Sequence, residues 1–397
     1  MQARPDPTAG RPFAACEEAL HEAACAATGL DDFGSDAYRD GLRALLHAWD
    51  EEADLAPEGR AAAWELVQTA LVARLRSQAG WKRRPECLAA EIRAPLFIAG
   101  LPRTGSTALQ RLLAKDPALQ GLELWLMVAP QPRPPRPEWP RHPEFAALDA
   151  SLRAEFGDRK GLRAIHEMDA REVDECWRLL HQSFASTTFD CVSRVPSYTR
   201  WFLDADLCPA YRRHRDQLRL LGARDPGRRW LCKDASHLFA VDAILALHPD
   251  AYIVQTHRDP ARAIPSVCSL NRVFRLPAAR GFDAVEHGAA QLEFWAQGAL
   301  RSLAARRNAD ARRFFDVDFR DVEADAFGVV RRLYRHFGLP LSAEAERAMR
   351  RHCAENPRGK HGAHAYSAAE FGLDPDRVRE RFAAYLAAFP VADPRGA

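Results

Sequence analysis

Short apolar runs are followed by amphipathic stretches along much of this chain, and this order predicts strands that each lead into a helix. The run 94–99 is continuous and apolar, which is typical of a strand buried in a parallel sheet. Apolar residues then recur at three- and four-residue spacing from Ala108 to Leu113. Asp116 and Pro117 follow as a stop signal, so the pattern predicts a strand, a tight loop and a helix.

The same order returns near the middle of the chain. The stretch 230–233 predicts a strand, and apolar residues from Leu238 to Leu245 predict a helix. A second strand over 251–257 leads into Asp259 and Pro260, which suit a helix N-cap and the first helical position. This is a βαβ unit, so its strands should be parallel, and Arg258 should lie at their carboxyl edge.

The remaining periodicity predicts helices at the start of the chain and one further strand and helix near its end. Residues 38–49 and 60–75 carry apolar side chains at helical spacing, and 313–319 is a strand pattern. We therefore expect an α/β fold: a P-loop-NTPase-like parallel sheet flanked by helices, with an N-terminal helical extension. The expected division is an extension over 1–90, packed on the core, and an α/β domain over 91–397.

Composition narrows the function classes. The chain has 397 residues and a net charge of +2, which argues against nucleic acid as the main partner. Its nine cysteines are scattered, as in proteins of reducing compartments. No run reaches the ~18 apolar residues that a membrane span needs, and no signal peptide is apparent. We expect a bacterial cytoplasmic protein without integral membrane association; its oligomeric state is not predicted.

The loop between the first strand and its helix has the character of a phosphate site. Its small residues expose backbone N–H groups at the positive end of a helix. Gly100, Gly105 and Thr107 match the spacing of an ATP-binding P-loop, but Ser106 stands where that motif has lysine. Arg103 is the obvious replacement cation, since its guanidinium suits oxyanions.

Residues 102–107 resemble the 5′-phosphosulfate loop of sulfotransferases that use 3′-phosphoadenosine 5′-phosphosulfate (PAPS). The resemblance implies that the loop binds this donor through five residues: Arg103, Thr104, Gly105, Ser106 and Thr107. Ala108 stands where the family has a tryptophan that stacks on adenine, so the adenine platform is not identified.

Two further motifs extend the resemblance and imply a 3′-phosphate site. Arg258 and Ser266 have the spacing of the family's arginine–serine pair. The segment Arg358, Gly359 and Lys360 resembles the late arginine–lysine–glycine segment that covers the same phosphate, with the order changed.

The resemblance also implies the catalytic groups. Lys233 would steady the bridging oxygen together with Arg103, and His237 would remove the acceptor's proton. Histidine suits that role because its ordinary pKa, about 6.5, lies near working pH. A helix N-terminal residue that only caps or packs is the alternative for His237.

The stretch 140–225 is expected to form the acceptor-pocket helices, because the family builds much of its acceptor pocket between the two donor motifs. It is rich in aromatic residues, most of which would also suit a core. Glu172, Asp174 and Glu175 are predicted to lie on the solvated face of one helix.

The sequence thus predicts a PAPS-dependent sulfotransferase. A histidine base would assist in-line transfer of the sulfuryl group to a hydroxyl or amine of a small-molecule acceptor, without a metal. A P-loop small-molecule kinase and a non-catalytic protein that binds a 3′-phosphoadenosine nucleotide remain as alternatives.

Overall fold

Five parallel strands form the central sheet of the computed structural model, in the order β2-β5-β1-β6-β7. The structure describes residues 8, 10–156, 169–356 and 366–391. The strands of this sheet are β1 (Leu96–Gly100), β2 (Leu119–Gln120), β5 (Arg229–Lys233), β6 (Tyr252–His257) and β7 (Phe314–Asp318). A separate antiparallel pair joins β3 (Leu122–Glu123) to β4 (Val173–Asp174).

Helices cover both the N-terminal region and the faces of the sheet. The first six are α1 (Glu17–Thr28), α2 (Arg39–Glu51), α3 (Pro57–Arg83), α4 (Ser106–Leu113), α5 (Leu124–Val128) and α6 (Pro143–Phe156). The next five are α7 (Trp177–His181), α8 (Thr188–Val192), α9 (Pro196–Asp204), α10 (Cys208–Leu221) and α11 (Val241–Leu247). The last six are α12 (Pro260–Arg275), α13 (Ala284–Arg307), α14 (Phe319–His336), α15 (Ala343–Glu355), α16 (Pro375–Arg381) and α17 (Ala383–Ala388).

Several short 3₁₀ helices connect these elements. They are Phe13–Cys16, Asp36–Tyr38, Pro85–Ala89, Arg136–Arg141, Ala235–Phe239, Ala311–Arg313 and Ala369–Phe371. The one at Ala235–Phe239 replaces the start of the helix that the sequence predicts after β5. Asp234 caps it by accepting a hydrogen bond from the Ser236 N–H.

The predicted fold class is confirmed, because the sheet is parallel and helices flank it. All five residues of β1 are buried, and Ile98 lies opposite Lys233 of β5 while Gly100 lies opposite Thr256 of β6. Asp259 caps α12 with Pro260 at its start, as the sequence predicts. Pro265 lies inside α12, which nevertheless runs on to Arg275.

The N-terminal helices share one apolar core with the face of the sheet. Leu42 of α2 and Leu71 of α3 belong to the same cluster of buried side chains as Phe97 of β1 and Phe239. A second cluster on the other side of the sheet joins Ile98 and the apolar stripes of α4 and α14. The sheet is therefore buried on both faces, as a parallel sheet requires. None of the described helices has the length and apolar character needed to cross a membrane.

Candidate active site

A cleft of about 490 Å³ opens at the carboxyl ends of three neighbouring strands. Gly100 ends β1, Lys233 ends β5, and Arg258 directly follows β6. All three line the cleft, together with Phe319 just after β7. Ligand sites of open α/β sheets lie at this edge, so the βαβ argument from sequence placed Arg258 correctly.

The loop between β1 and α4 forms one wall of the cleft and depends on left-handed backbone. Gly105 has φ +83° at the N-terminus of α4, and Arg103 has φ +68°. The Thr104 hydroxyl points into the protein, donating to the Leu101 carbonyl at 2.6 Å and lying 2.6 Å from Thr256 Oγ1. Thr104 therefore holds the loop against β6 with its side chain, while Arg103, Gly105, Ser106 and Thr107 line the cleft.

Arg103, Arg258 and Ser266 form a continuous hydrogen-bonded chain. Arg103 Nε donates to Ser266 Oγ at 3.1 Å, and Arg258 Nη1 donates to the Arg103 carbonyl at 2.8 Å. Arg258 also lies 4.2 Å from the centre of the Phe319 ring, a cation–π contact that fixes its plane. Ser266 is 2% exposed and reaches the cleft only through Arg103.

Among the described residues, no carboxylate lies within ion-pair distance of either guanidinium group, that of Arg103 or that of Arg258. Burial, and then the charge of Arg258, lowers the pKa of Arg103. A bound oxyanion would relieve this repulsion, which makes the two residues suited to phosphate or sulfate groups.

Lys233 supplies a third cation and is paired with the carboxylate of Glu175. Its ammonium also donates to Thr107 Oγ1 at 3.2 Å, so it bridges the phosphate-type loop and Glu175. The side chain of Glu175 is 20% exposed and lines the cleft. The cleft thus places a carboxylate, an ammonium and a hydroxyl within one hydrogen-bonded group.

The prediction that Glu172, Asp174 and Glu175 lie on one solvated helix is wrong. Asp174 belongs to β4, and Glu175 follows the strand into the cleft. Sequence reasoning missed this residue because β4 has only two residues, too few for any periodicity to show. The signal that was available is position: Glu175 lies two residues before Trp177, which begins the aromatic stretch and also lines the cleft.

His237 is not brought to the cleft. It is fully buried, shares a hydrogen bond of 2.7 Å between its Nδ1 and Tyr211 Oη, and meets the edge of the Phe97 ring. Burial lowers its pKa well below the ordinary value. These surroundings fit the alternative that the sequence left open for His237, namely a residue that packs in the core. The side chain does not line the cleft, so an acceptor bound there would not contact it.

Two further expectations concern the donor site. Ala108 is exposed on α4, and the structure shows no aromatic ring at that position. Arg358, Gly359 and Lys360 lie outside the described residues.

The rest of the cleft is largely apolar and extends away from the loop. Its lining side chains come from the stretch after β4, from α12 and α13, and from the N-terminal region: Leu66, Trp177, Val192, Val267, Leu270, Phe274 and Trp295. Of the aromatic residues between 140 and 225, Trp177 lines the cleft. Others are core residues at 3% exposure or less: Phe184, Phe189, Tyr198, Phe202 and Tyr211. Leu66 belongs to α3, which the sequence assigned to an extension.

Comparison with known families gives a match over most of the α/β region. The family model described as "Sulfotransferase family" matches residues 95–343. A curated relative, omega-hydroxy-beta-dihydromenaquinone-9 sulfotransferase Stf3 of Mycobacterium bovis, is 26% identical over 252 residues. That alignment covers 62% of this chain and 63% of the relative, so the chain spans less than two thirds of its length.

Solved structures match over nearly the whole chain. Sulfotransferase STF1 of Mycobacterium tuberculosis is 43% identical, with a TM-score of 0.87, and the match covers 94% of this chain and 100% of that one. Sulfotransferase STF9 of Mycobacterium avium is 29% identical, with a TM-score of 0.88, and covers 95% and 97%. The family model begins at residue 95 and so leaves out the N-terminal helices α1 to α3. The two structural matches include most of that region.

Proposed function

The chain belongs to the sulfotransferase family, and from this premise we propose that it transfers a sulfuryl group from PAPS to a hydroxyl of an apolar small molecule. The observation that carries the proposal is the cationic end of the cleft. Arg103, Lys233 and Arg258 surround a helix N-terminus, with Glu175 as the one carboxylate bonded to this group among the described residues. Such a site attracts a ligand with several negative charges.

The donor would bind along the strand ends. The 5′-phosphosulfate would lie against the N–H groups of residues 104–107, with Arg103 and Lys233 as its cations. Arg258 would bind the 3′-phosphate, and Ser266 would act mainly by holding Arg103. The 3′-phosphate is the group that separates this donor from ATP, so Arg258 would set the nucleotide specificity. The contribution of Arg358, Gly359 and Lys360 stays a prediction from sequence.

Glu175 is the base that the geometry favours, in place of His237. The carboxylate would take the proton from the acceptor hydroxyl as its oxygen attacks sulfur in line. One S–O bond forms to the acceptor, and the S–O bond to the 5′-phosphate breaks. The released phosphate oxygen gains negative charge, which Lys233 and Arg103 are placed to stabilise. The products would be a sulfate ester, adenosine 3′,5′-bisphosphate and a proton on Glu175.

The ion pair between Glu175 and Lys233 fits this assignment. Without the donor, the ammonium of Lys233 forms an ion pair with the carboxylate of Glu175. A bound phosphosulfate would draw the ammonium toward its own oxygens, and Glu175 would then be free to accept a proton. Donor binding would in this way prepare the base.

The acceptor is expected to be an alcohol with an apolar body, because aromatic and aliphatic side chains wall the far part of the cleft. The curated relative acts, by its name, on an omega-hydroxy quinone lipid. An amine is less suited, because its cation would compete with Lys233 for Glu175.

Calorimetry with adenosine 3′,5′-bisphosphate in the absence of metal tests the proposal. We expect tight binding that weakens by about 10- to 150-fold in Arg258→Ala, the equivalent of one charge-assisted hydrogen bond. Arg262→Ala, which changes an arginine of α12 that does not line the cleft, is the matched control. Preference for ADP with Mg²⁺ over the bisphosphate would contradict the proposal and favour a kinase.

A further inference from the structure

Behind the cleft, three buried side chains from three different elements bring together donor atoms that suit a metal ion. Cys176 precedes α7, Cys232 lies in β5, and His214 lies in α10. Their two sulfurs and one ring nitrogen lie within 4.8 Å of one another. The two cysteines are 0% exposed and His214 is 1% exposed.

The hydrogen bonding of the cluster is incomplete. Both ring nitrogens of His214 are buried and have no hydrogen-bond partner among the described residues. Nε2 of His237 is also buried and also lacks a partner among them. Buried polar atoms in native proteins almost always have a partner, so an unpartnered imidazole in a protein core needs an explanation. The two thiols contact each other and cannot supply strong acceptors for these rings.

We propose that Cys176, Cys232 and His214 bind a structural Zn²⁺ ion. Two thiolates and one neutral imidazole are common zinc ligands, at about 2.3 Å for sulfur and about 2.0–2.1 Å for nitrogen. Two thiolates also balance the charge of the divalent ion, so the loaded site is neutral, as burial in an apolar core requires. His237 lies outside the group of donor atoms within 4.8 Å, and its ring centre is 5.9 Å from that of His214. Its Nε2 would become the fourth ligand only if the ring moved toward the ion.

The position of the cluster gives the ion a structural task. Cys176 follows Glu175 and Cys232 precedes Lys233, and the Cys176 N–H donates to the Lys233 carbonyl at 2.8 Å. An ion bound to both sulfurs would fix the two backbones that carry the carboxylate and the ammonium into the cleft. The ion would lie behind the sheet edge and would take no part in the transfer itself.

Metal analysis of the full-length chain tests the site without relying on activity. After growth with added zinc and dialysis, we expect about one zinc per chain. Cys232→Ser and His214→Gln should lose it, whereas Cys268→Ser, a buried thiol of α12 outside the cluster, should keep it. Chelation of the wild-type chain should lower its melting temperature. Cobalt added to the stripped chain should give the visible spectrum of a tetrahedral thiolate site.

Two results would overturn the proposal. One is a wild-type zinc content no higher than that of Cys232→Ser. The other is a disulfide between Cys176 and Cys232, found in peptides of the non-reduced wild-type chain, since that bond would use both ligand sulfurs. If the variants fail to fold, the chelation and cobalt measurements on the wild-type chain still decide the question.

Discussion

At the residue scale, the cleft depends on the contact between Lys233 and Glu175. Lys233 ends β5 and Glu175 directly follows β4, so only the folded chain brings the two side chains together. Lys233 also contacts Thr107 of the phosphate-type loop. The ammonium of Lys233 therefore links the proposed donor site to the proposed base. Substitutions of Lys233, Thr107 and Glu175 can be made one at a time to test each link.

Glu175→Gln should remove turnover and leave donor binding intact. The amide keeps the size of the side chain but accepts no proton, so kcat should fall by about 10²- to 10⁴-fold, the usual contribution of a positioned base. Transfer of labelled sulfate from PAPS to a hydrophobic alcohol measures kcat, and calorimetry with adenosine 3′,5′-bisphosphate measures binding.

His237→Gln is the informative comparison for this experiment. The amide can still bond to Tyr211, so we expect a loss of stability with kcat largely preserved in the folded fraction. A collapse of kcat in His237→Gln with normal activity in Glu175→Gln would restore histidine as the base. A chain that binds the bisphosphate and shows no transfer in any form would favour a non-catalytic nucleotide-binding protein.

The residues proposed to bind the donor could be predicted from the sequence to lie together, because they follow strand ends. Arg103, Ser106 and Arg258 each follow an apolar strand pattern within a few residues, and parallel strands bring such positions together. Glu175 could not be predicted in this way, because the strand before it, β4, has two residues and pairs with β3 and not with the main sheet. For His237 the resemblance gave a role, but the side chain lies in the core, where Phe97 and Tyr211 surround it.

At the scale of elements, the site is built on the junction of β1, its loop and α4. Gly100 has φ +151°, and a Cβ at this position would lie 2.6 Å from both the carbonyl and the hydroxyl oxygen of Thr256. The same hydroxyl contacts Thr104, which anchors the loop. The glycine therefore allows β1 and β6 to approach closely at the point where the loop begins.

Gly100→Ala should push β6 away from the loop and disturb the Thr104–Thr256 contact. We expect a loss of about 1–3 kcal/mol in the free energy of unfolding, together with weaker binding of adenosine 3′,5′-bisphosphate. Denaturant titration and calorimetry measure the two effects. Gly227→Ala is a suitable control, since a Cβ there meets nothing within 4 Å. Unchanged binding in Gly100→Ala would show that the loop geometry does not depend on this contact.

At the scale of the whole molecule, the N-terminal helices are part of the core. The periodicity of 38–49 and 60–75 was sufficient to predict helices, which the structure has as α2 and α3. Periodicity does not show which surface a helix covers, so it could not indicate that Leu66 would line the cleft. The long matches to STF1 and STF9 indicate that these helices are shared with the mycobacterial structures.

A chain that starts at residue 91 is therefore expected not to fold cooperatively. It would expose the apolar side chains of α9 and α10 that pack against α2 and α3. Thermal melting by circular dichroism and limited proteolysis measure this directly. A sharp transition close to that of the full chain would show instead that residues 91–397 fold as an independent domain.

Buried histidines should make the stability of the whole chain depend on pH. Burial lowers the pKa of His287 from 6.5 to about 3, and it also lowers the pKa of His181. The unfolded chain takes up these protons near pH 6.5 while the folded chain does not. Each neutral buried histidine therefore costs the folded chain no stability above about pH 6.5. Below that pH, the free energy of unfolding falls by about 1.4 kcal/mol per pH unit for each such histidine.

His287→Gln isolates one of these protons. The variant should show a shallower decline in the free energy of unfolding from about pH 6.5 to about pH 4.5, whatever its stability at neutral pH. Its slope should differ from that of the wild type by close to one proton, since the glutamine does not titrate. Exposed His47→Gln, on α2, should keep the wild-type slope. Equal slopes for His287→Gln and the wild type would contradict this prediction, because they would mean that His287 is protonated in the folded chain. The imidazolium would then lie near the positive charge of Arg275.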